Sequence, residues 1–273
     1  MHGWEKWSIN NGEDVFPCLK QLVIEVCPNL VEVTLKKINS LNVLQLKNCD
    51  CGVLRRLVTS SVIKLEIKII SGLNDVVWRG VIDNLGAVEE LCINSCNEIR
   101  YLWESKAVAS KVLVNLRGLY VRGCNNLVSL GDKDYDEDSN LQIASRRIDS
   151  IENLRVNTCS SITSIGAEGG GLKSLKILGC NKLLEREWGG QNNNNRTCLE
   201  NVDIRGWQNL KSIINLNCLV HLTQLSIRDC RGLESLPDNE LPNLTSLKHI
   251  EIENCPKIDG CFPRQLWPLN LYP

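Results

Sequence analysis

Apolar residues along this chain recur in one phrase, L-x-x-L-x-I-x-x-C-x-x-L, with polar residues holding the places between them. The first copies are Leu19-Leu22-Ile24-Cys27-Leu30, Leu41-Leu44-Leu46-Cys49, Val62-Leu65-Ile67-Ile70-Leu73 and Val88-Leu91-Ile93-Cys96-Ile99. The middle holds Leu116-Leu119-Val121-Cys124-Leu127, Ile151-Leu154-Val156-Cys159-Ile162 and Leu172-Leu175-Ile177-Cys180-Leu183. The last are Leu199-Val202-Ile204-Trp207-Leu210, Leu222-Leu225-Ile227-Cys230-Leu233 and Leu247-Ile250-Ile252-Cys255-Ile258, ten copies in all. Within each copy the alternating L-x-I has the two-residue period of a strand with one buried face. The apolar residue three places before it and the cysteine three places after it mark the turns into and out of that strand.

From Cys27 to Cys255 there are 228 residues over nine intervals, a period of about 25, which is that of leucine-rich repeats. One copy alone cannot bury four or five apolar side chains. Stacked copies can, because strands about 4.8 Å apart join their apolar rows into one core. The pattern therefore predicts a leucine-rich-repeat solenoid, an α/β right-handed superhelix with a curved parallel sheet on its concave side. Ten strands would span an inner arc of roughly 45 Å. The intervening segments lack a sustained period of 3.6 and contain Gly72, Gly131, Gly166, Gly189, Pro237 and Pro242. They predict a mostly irregular convex side with short helical turns, and strands of four or five residues. Residues 1–15 read as an N-terminal flank continuing from upstream repeats, 16–262 as the repeat domain and 263–273 as a C-terminal tail. The flank carries Trp4 and Trp7 but no polar cap, so the first strand is expected to leave its edge exposed.

Composition narrows the function classes. The net charge is −1, from 31 basic and 32 acidic residues, so nothing draws the whole chain to nucleic acid or anionic membrane. No apolar run reaches the length of a membrane span, and the start MHGWEKWSINNGED lacks the apolar stretch of a signal peptide. Of fourteen cysteines, eight (Cys27, Cys49, Cys96, Cys124, Cys159, Cys180, Cys230, Cys255) occupy one repeat position. A small thiol packs there as a hydrophobe and offers a weak hydrogen bond, so free thiols and a cytoplasmic or nuclear location are expected.

The phrases FPCLKQLVIEVCPNL, LTQLSIRDCRGLESLPD and LTSLKHIEIENCPKID resemble the C-terminal repeats of plant intracellular nucleotide-binding leucine-rich-repeat disease-resistance proteins. The "C-P-x-L" and "C-x-x-L-x-S-L" runs after each strand are similar to the coiled-coil class of that family, and the early GWEKW to a tryptophan-rich stretch before its late repeats. The resemblance covers residues 1–262. It implies a non-enzymatic module that senses a pathogen effector or a modified host protein and restrains a nucleotide-binding switch domain. In the full-length receptor, ADP or ATP would be bound by that absent upstream domain, and no cofactor by this chain. Partners would be proteins, with no nucleic acid and no membrane span. A substrate adaptor of an F-box ubiquitin ligase is the alternative. Its repeats also place cysteine after the strand, but usually with regular convex helices, and this chain lacks an F-box.

Other chemistry fits poorly. Gly166–Ser174 nearly spells a phosphate-binding loop, but Leu172 separates the glycines from Lys173 and is itself a repeat position. Cys92 and Cys96, or Cys49 and Cys51, have no second cysteine pair at finger spacing, and there are three histidines. No nucleophile stands in a catalytic phrase, so no enzyme is predicted. Two polar insertions, GDKDYDEDSNLQIASRR and EREWGGQNNNNRTC, break the period. They read as loops, or as the frame of a docking site.

Docking is better placed on the concave face, where residues between and just after the paired apolar positions point to solvent. These include Tyr120, Arg122, Arg155, Lys176, Arg205 and Arg228, against Asp203 and Asp229, followed by an acidic tenth copy with Glu251 and Glu253 beside His249. A basic middle beside an acidic end is a recognition surface on one reading and a solvated strand face on the other.

Overall fold

A computed structural model describes residues 3–9, 16–35, 38–103, 113–130, 150–165, 171–183, 198–213, 216, 219–236 and 241–258. In chain order its elements are β1 (Lys6–Ile9), β2 (Gln21–Cys27), β3 (Glu32–Leu35), β4 (Val43–Asp50), α1 (Cys51–Leu57), β5 (Lys64–Ser71), α2 (Asp75–Ile82) and β6 (Glu90–Asn94). There follow β7 (Gly118–Arg122), β8 (Asn153–Asn157), β9 (Ser174–Leu178), β10 (Asn201–Arg205), β11 (Gln224–Arg228) and β12 (His249–Glu253).

The ten copies of the phrase become the ten strands of one parallel sheet, ordered β2, then β4 through β12. Register follows the pattern residue for residue. Leu22 lies beside Leu44, Leu44 beside Leu65, and the row continues through Leu91, Leu119, Leu154, Leu175, Val202 and Leu225 to Ile250. These rows and the Leu, Cys and Trp rows behind them form a single core. Cooperative bonding joins each strand entry to the next. One carbonyl accepts two N–H groups from the following coil, as Lys20 O does from Asn42 and Val43, and Thr223 O from Lys248 and His249.

The strand exit is more demanding. In every copy the residue before the cysteine position has a left-handed backbone: Val26, Asn48, Ile69, Ser95, Gly123, Thr158, Gly179, Gly206, Asp229 and Asn254. The reversal swings the chain off the sheet and points its N–H at the next coil. Ser95 N donates to Arg122 O, Gly123 N to Asn157 O and Gly179 N to Arg205 O. At Gly179 and Gly206 glycine removes the steric cost, about 1–2 kcal/mol for other residues. At Val26, Ile69 and Thr158 the chain adopts the same conformation with a β-branched residue, between neighbouring coils on both sides at Ile69 and Thr158 and beside β4 alone at Val26 on the edge strand. The cysteine that follows turns inward. All eight repeat-position thiols donate to the carbonyl two residues earlier, such as Cys230 to Arg228 O at 3.4 Å. Several also reach the preceding coil, as Cys49 reaches Ile24 O at 3.5 Å. All twelve cysteines among the described residues are free.

Seven strands have the expected length, but β2, β4 and β5 run seven, eight and eight residues. In these coils pairing carries on past the left-handed residue, so Cys27, Cys49 and Ile70 are themselves in register. On the convex side two helices are ordered by their caps. The Asp50 carboxylate accepts from Gly52 N at the start of α1, and Asn74 from Val76 N and Val77 N at the start of α2. Trp78 on α2 is buried and donates to Leu102 O at 2.7 Å. A second, sparser ladder follows the cysteine turns, with bridges Tyr101–Ser129, Ser129–Ser164 and Ser212–Ser235. β1 and β3 pair in the equivalent place near the N-terminus. Residues 166–170 of the glycine run, the first insertion, the second insertion as far as Thr197 and the C-terminal tail lie outside the described residues.

Candidate functional site

Because side chains alternate across each strand, the residues between the core rows form parallel rows on the concave face. The central row runs Val23, Gln45, Glu66, Cys92, Tyr120, Arg155, Lys176, Asp203, Ser226, Glu251, each beside the next. Arg122, Arg205, Arg228 and Glu253 stand in the row toward the strand ends, and His249 opens the row toward the strand starts. All nine residues expected on this face are therefore on it, and seven of them, all but His249 and Glu253, fall into two groups.

The first group is neutralised within the protein. Arg205 Nε donates to Asp229 Oδ2 at 2.9 Å. Arg228 lies between two acids, with Nη2 at 3.2 Å from Asp203 Oδ1 and Nη1 at 3.9 Å from Glu251 Oε2. Ser226 Oγ donates to Glu251 at 2.7 Å, and Asn254 Nδ2 to Asp229 at 3.1 Å. Bonding to Asn254 and Arg205 holds the Asp229 carboxyl below the usual range. On the other flank Lys64 pairs with Glu90 at 2.7 Å and Lys47 with Glu25 at 3.8 Å. Neighbouring coils thus cross-link their own charges over much of the face.

Strands β7, β8 and β9 differ. Their outward positions are Gly118, Tyr120, Arg122, then Asn153, Arg155, Asn157, then Ser174, Lys176, Leu178, with no acid among them. Arg155 and Lys176 are in register on adjacent strands, where like charges repel. Among the described residues Arg122, Arg155 and Lys176 have no carboxylate within ion-pair distance, a condition shared on this face by Lys68 of β5. Tyr120 folds back over Gly118: a Cβ there would come within 2.9 Å of its Cε2 atom. Glycine thus lets the ring lie along the strand. Burial, with Glu90 nearby, pushes the Tyr120 phenol above its usual value, so it remains a donor. Burial likewise pushes the neighbouring Cys92 thiol up to about 11, so it is an unreactive floor. The resulting surface offers fixed positive charge, one phenol and amide groups in a row.

The pattern exposed this face because two-residue alternation is a local property. It did not distinguish paired from unpaired cations, since the partners stand about one repeat apart in the chain, 24 places for Arg205 and Asp229 and 25 for Arg228 and Asp203. No group of three or more potential metal ligands occurs among the described residues. No described helix is long and apolar enough to cross a membrane.

The fold defines the class: this is a leucine-rich-repeat domain, built as a parallel solenoid with little helix. Its backbone is similar to the leucine-rich repeat domain of the type III effector XopL, at a TM-score of 0.56 and 23% identity, over 80% of this chain and 68% of that one. An internalin from Listeria monocytogenes aligns over 93% of this chain and 86% of that one, at 14% identity and a TM-score of 0.38, too low to add to the fold argument. No protein-family model matches this chain, and no curated protein sequence matches it. Domains of this fold generally serve as protein-interaction modules.

Proposed function

We propose that the chain is a non-enzymatic recognition module that docks an acidic protein surface on the concave face of β7–β9. One observation carries this reading: among the described residues Arg122, Arg155 and Lys176 stand together without a carboxylate partner, on a face whose flanks are largely cross-linked by ion pairs. Keeping two cations side by side on adjacent strands costs stability, and local costs of this kind collect at functional sites. Taken with the repeat phrases, the reading is that of the recognition region of a plant immune receptor. In that setting it senses a pathogen effector or modified host protein in the cytoplasm or nucleus, and restrains a nucleotide-binding switch domain.

The test is a triple reversal, Arg122→Glu, Arg155→Glu and Lys176→Glu, beside the single reversal Lys173→Glu. Lys173 lies outside the patch and pairs with Glu152 at 3.1 Å. Proteins captured from plant-cell extract by the unaltered chain are identified and their affinities measured by calorimetry. Each lost charge-assisted bond is worth about 1.5–3 kcal/mol, so the triple variant is expected to lose detectable binding while Lys173→Glu retains it. Equal affinity of the triple variant and the unaltered chain would refute the reading. So would equal loss in both variants.

A further inference from the structure

The cationic window on β7–β9 is bounded along its own row. Ahead of Tyr120, Arg155 and Lys176 the central row passes through Cys92 to Glu66, and beyond them it reaches Asp203 at once. Glu66 accepts from the neutral Gln45 at 3.0 Å and forms no ion pair among the described residues. On the far side Asp203 and Glu251 share one cation, Arg228. The window is about 10 Å across, two strand intervals of about 4.8 Å. An extended polyanion laid along the row would run onto net negative charge at both ends, whereas a compact anion would not. A flat membrane surface does not enter a concave face.

One residue is central to the window. Asn157 lies beside Arg122 in register, two places along β8 from Arg155 and diagonally from Lys176. Strand geometry sets the α-carbons of all three cations within about 8 Å of that of Asn157. The backbone carbonyl of Asn157 accepts from Gly123 N and the Cys159 thiol, but its side-chain amide has no partner among the described residues. Tyr120 stands beside Arg155 on β7 as a wall and a further donor.

The balance of charge points to the ligand. Other carboxylates of the chain meet one cation, as Asp229 meets Arg205, or two, as Glu152 meets Arg117 and Lys173. Three cations and an amide around one point exceed what the single charge of a carboxylate offsets. A phosphate monoester carries about −1.5 to −2 and three acceptor oxygens, and guanidinium groups bind it through paired N–H donors. Building on the docking reading for this face, we propose that the acidic feature recognised on β7–β9 is a phosphorylated side chain of a protein partner. Its phosphate sits above Asn157, held by Arg122, Arg155 and Lys176.

The experiment uses the full chain, isotope-labelled for nuclear magnetic resonance, and three short peptides that differ only in a central serine, glutamate or phosphoserine. The Asn157 side-chain amide and the Nε–H groups of Arg122 and Arg155 report binding at the window, and the backbone amides of β2–β5 show that each variant is folded. The phosphoserine peptide is expected to shift the window signals with an affinity about tenfold or more above that of the glutamate peptide, and the serine peptide to leave them unmoved. Arg122→Gln, Arg155→Gln and Lys176→Gln are each expected to weaken phosphoserine binding about tenfold. Lys68→Gln removes an unpaired cation of the same face three strands from β8, beyond the screening distance, and is expected to weaken it less than about twofold. Equal affinity for the phosphoserine and glutamate peptides overturns the phosphate assignment and leaves the acidic-surface reading intact. Window signals unmoved by all three peptides overturn it too, and the acidic-surface reading then stands or falls by the charge reversals alone. Phosphoserine binding that survives the three variants, or falls as far in Lys68→Gln, overturns it because the site would lie elsewhere. A single-stranded oligonucleotide that moves the same signals at lower concentration than the phosphoserine peptide would overturn it in favour of nucleic acid.

Discussion

Changing Trp207 to cysteine would bring the eighth coil into line with the eight that carry cysteine at this place, and a consensus argument expects that to stabilise. The structure argues the opposite. Trp207 is fully buried, and its Nε1–H donates to Leu183 O at 2.9 Å, in the preceding coil. A tryptophan buries about 150–250 Å², of which a thiol restores a fraction. Losing about 100–150 Å² of apolar burial at about 25 cal/mol per Å² costs about 2.5–4 kcal/mol. The Leu183 carbonyl, left without its donor, adds about 1 kcal/mol. A new thiol bond to Arg205 O, of the kind the other coils make, returns no more than about 0.5 kcal/mol. The net loss is about 3–4.5 kcal/mol, in the range for large-to-small changes at buried aromatic residues. Urea titration followed by circular dichroism should show the midpoint falling by about 1 M or more, given slopes of about 1–3 kcal/mol per M. Because coils contact only their neighbours, amide protection should fall in β9–β12 and remain in β2–β5. An unchanged or higher midpoint would refute the packing argument and favour the repeat pattern as what sets this position.

Two further outcomes follow from the charges and thiols. Asp229 is held below the usual carboxyl range by Asn254 and Arg205, and Glu152 by Lys173 and Arg117. A depressed folded value stabilises above the unfolded value of about 4 and is lost as pH falls through the folded one. The thermal midpoint should therefore be level from pH 7 to about 5 and drop below about 4, with a shallower drop in Asp229→Asn and Glu152→Gln; identical profiles in all three proteins would count against these contacts. Asparagine suits position 229 because it tolerates the left-handed backbone there. With a thiol reagent at pH 8, the exposed Cys18 and Cys198 should react first. Cys96 and Cys180, pushed up to about 11 by burial, should wait for unfolding. Denaturation without reductant should then release all fourteen thiols, and peptide mapping that finds Cys96 labelled as fast as Cys18 would contradict the buried ladder.

The linear pattern determined what repeats locally. Leu22, Ile24 and Cys27 stand at places whose periodicity alone says strand, buried face and inward turn, and nine further copies say that the strands stack. The concave face followed from the same alternation, which is why Tyr120, Arg122, Arg155 and Lys176 could be placed on it from the sequence. The left-handed exit was partly legible, since Gly123, Gly179 and Gly206 each precede the inward-turning residue. Val26, Ile69 and Thr158 gave no such sign, because a β-branched residue favours the opposite conformation and yields only to bonding from neighbouring coils. Tertiary structure alone decided which charges remain open. Arg205 and Arg228 look like Arg122 and Arg155 along the chain, yet the first two meet Asp229, Asp203 and Glu251 across the coil spacing. The pairing of Lys6–Ile9 with Glu32–Leu35 likewise became visible only in the structure. Periodicity specifies a coil because its information lies within a few residues; pairing and edges belong to the stack, where contacts join residues about one period apart.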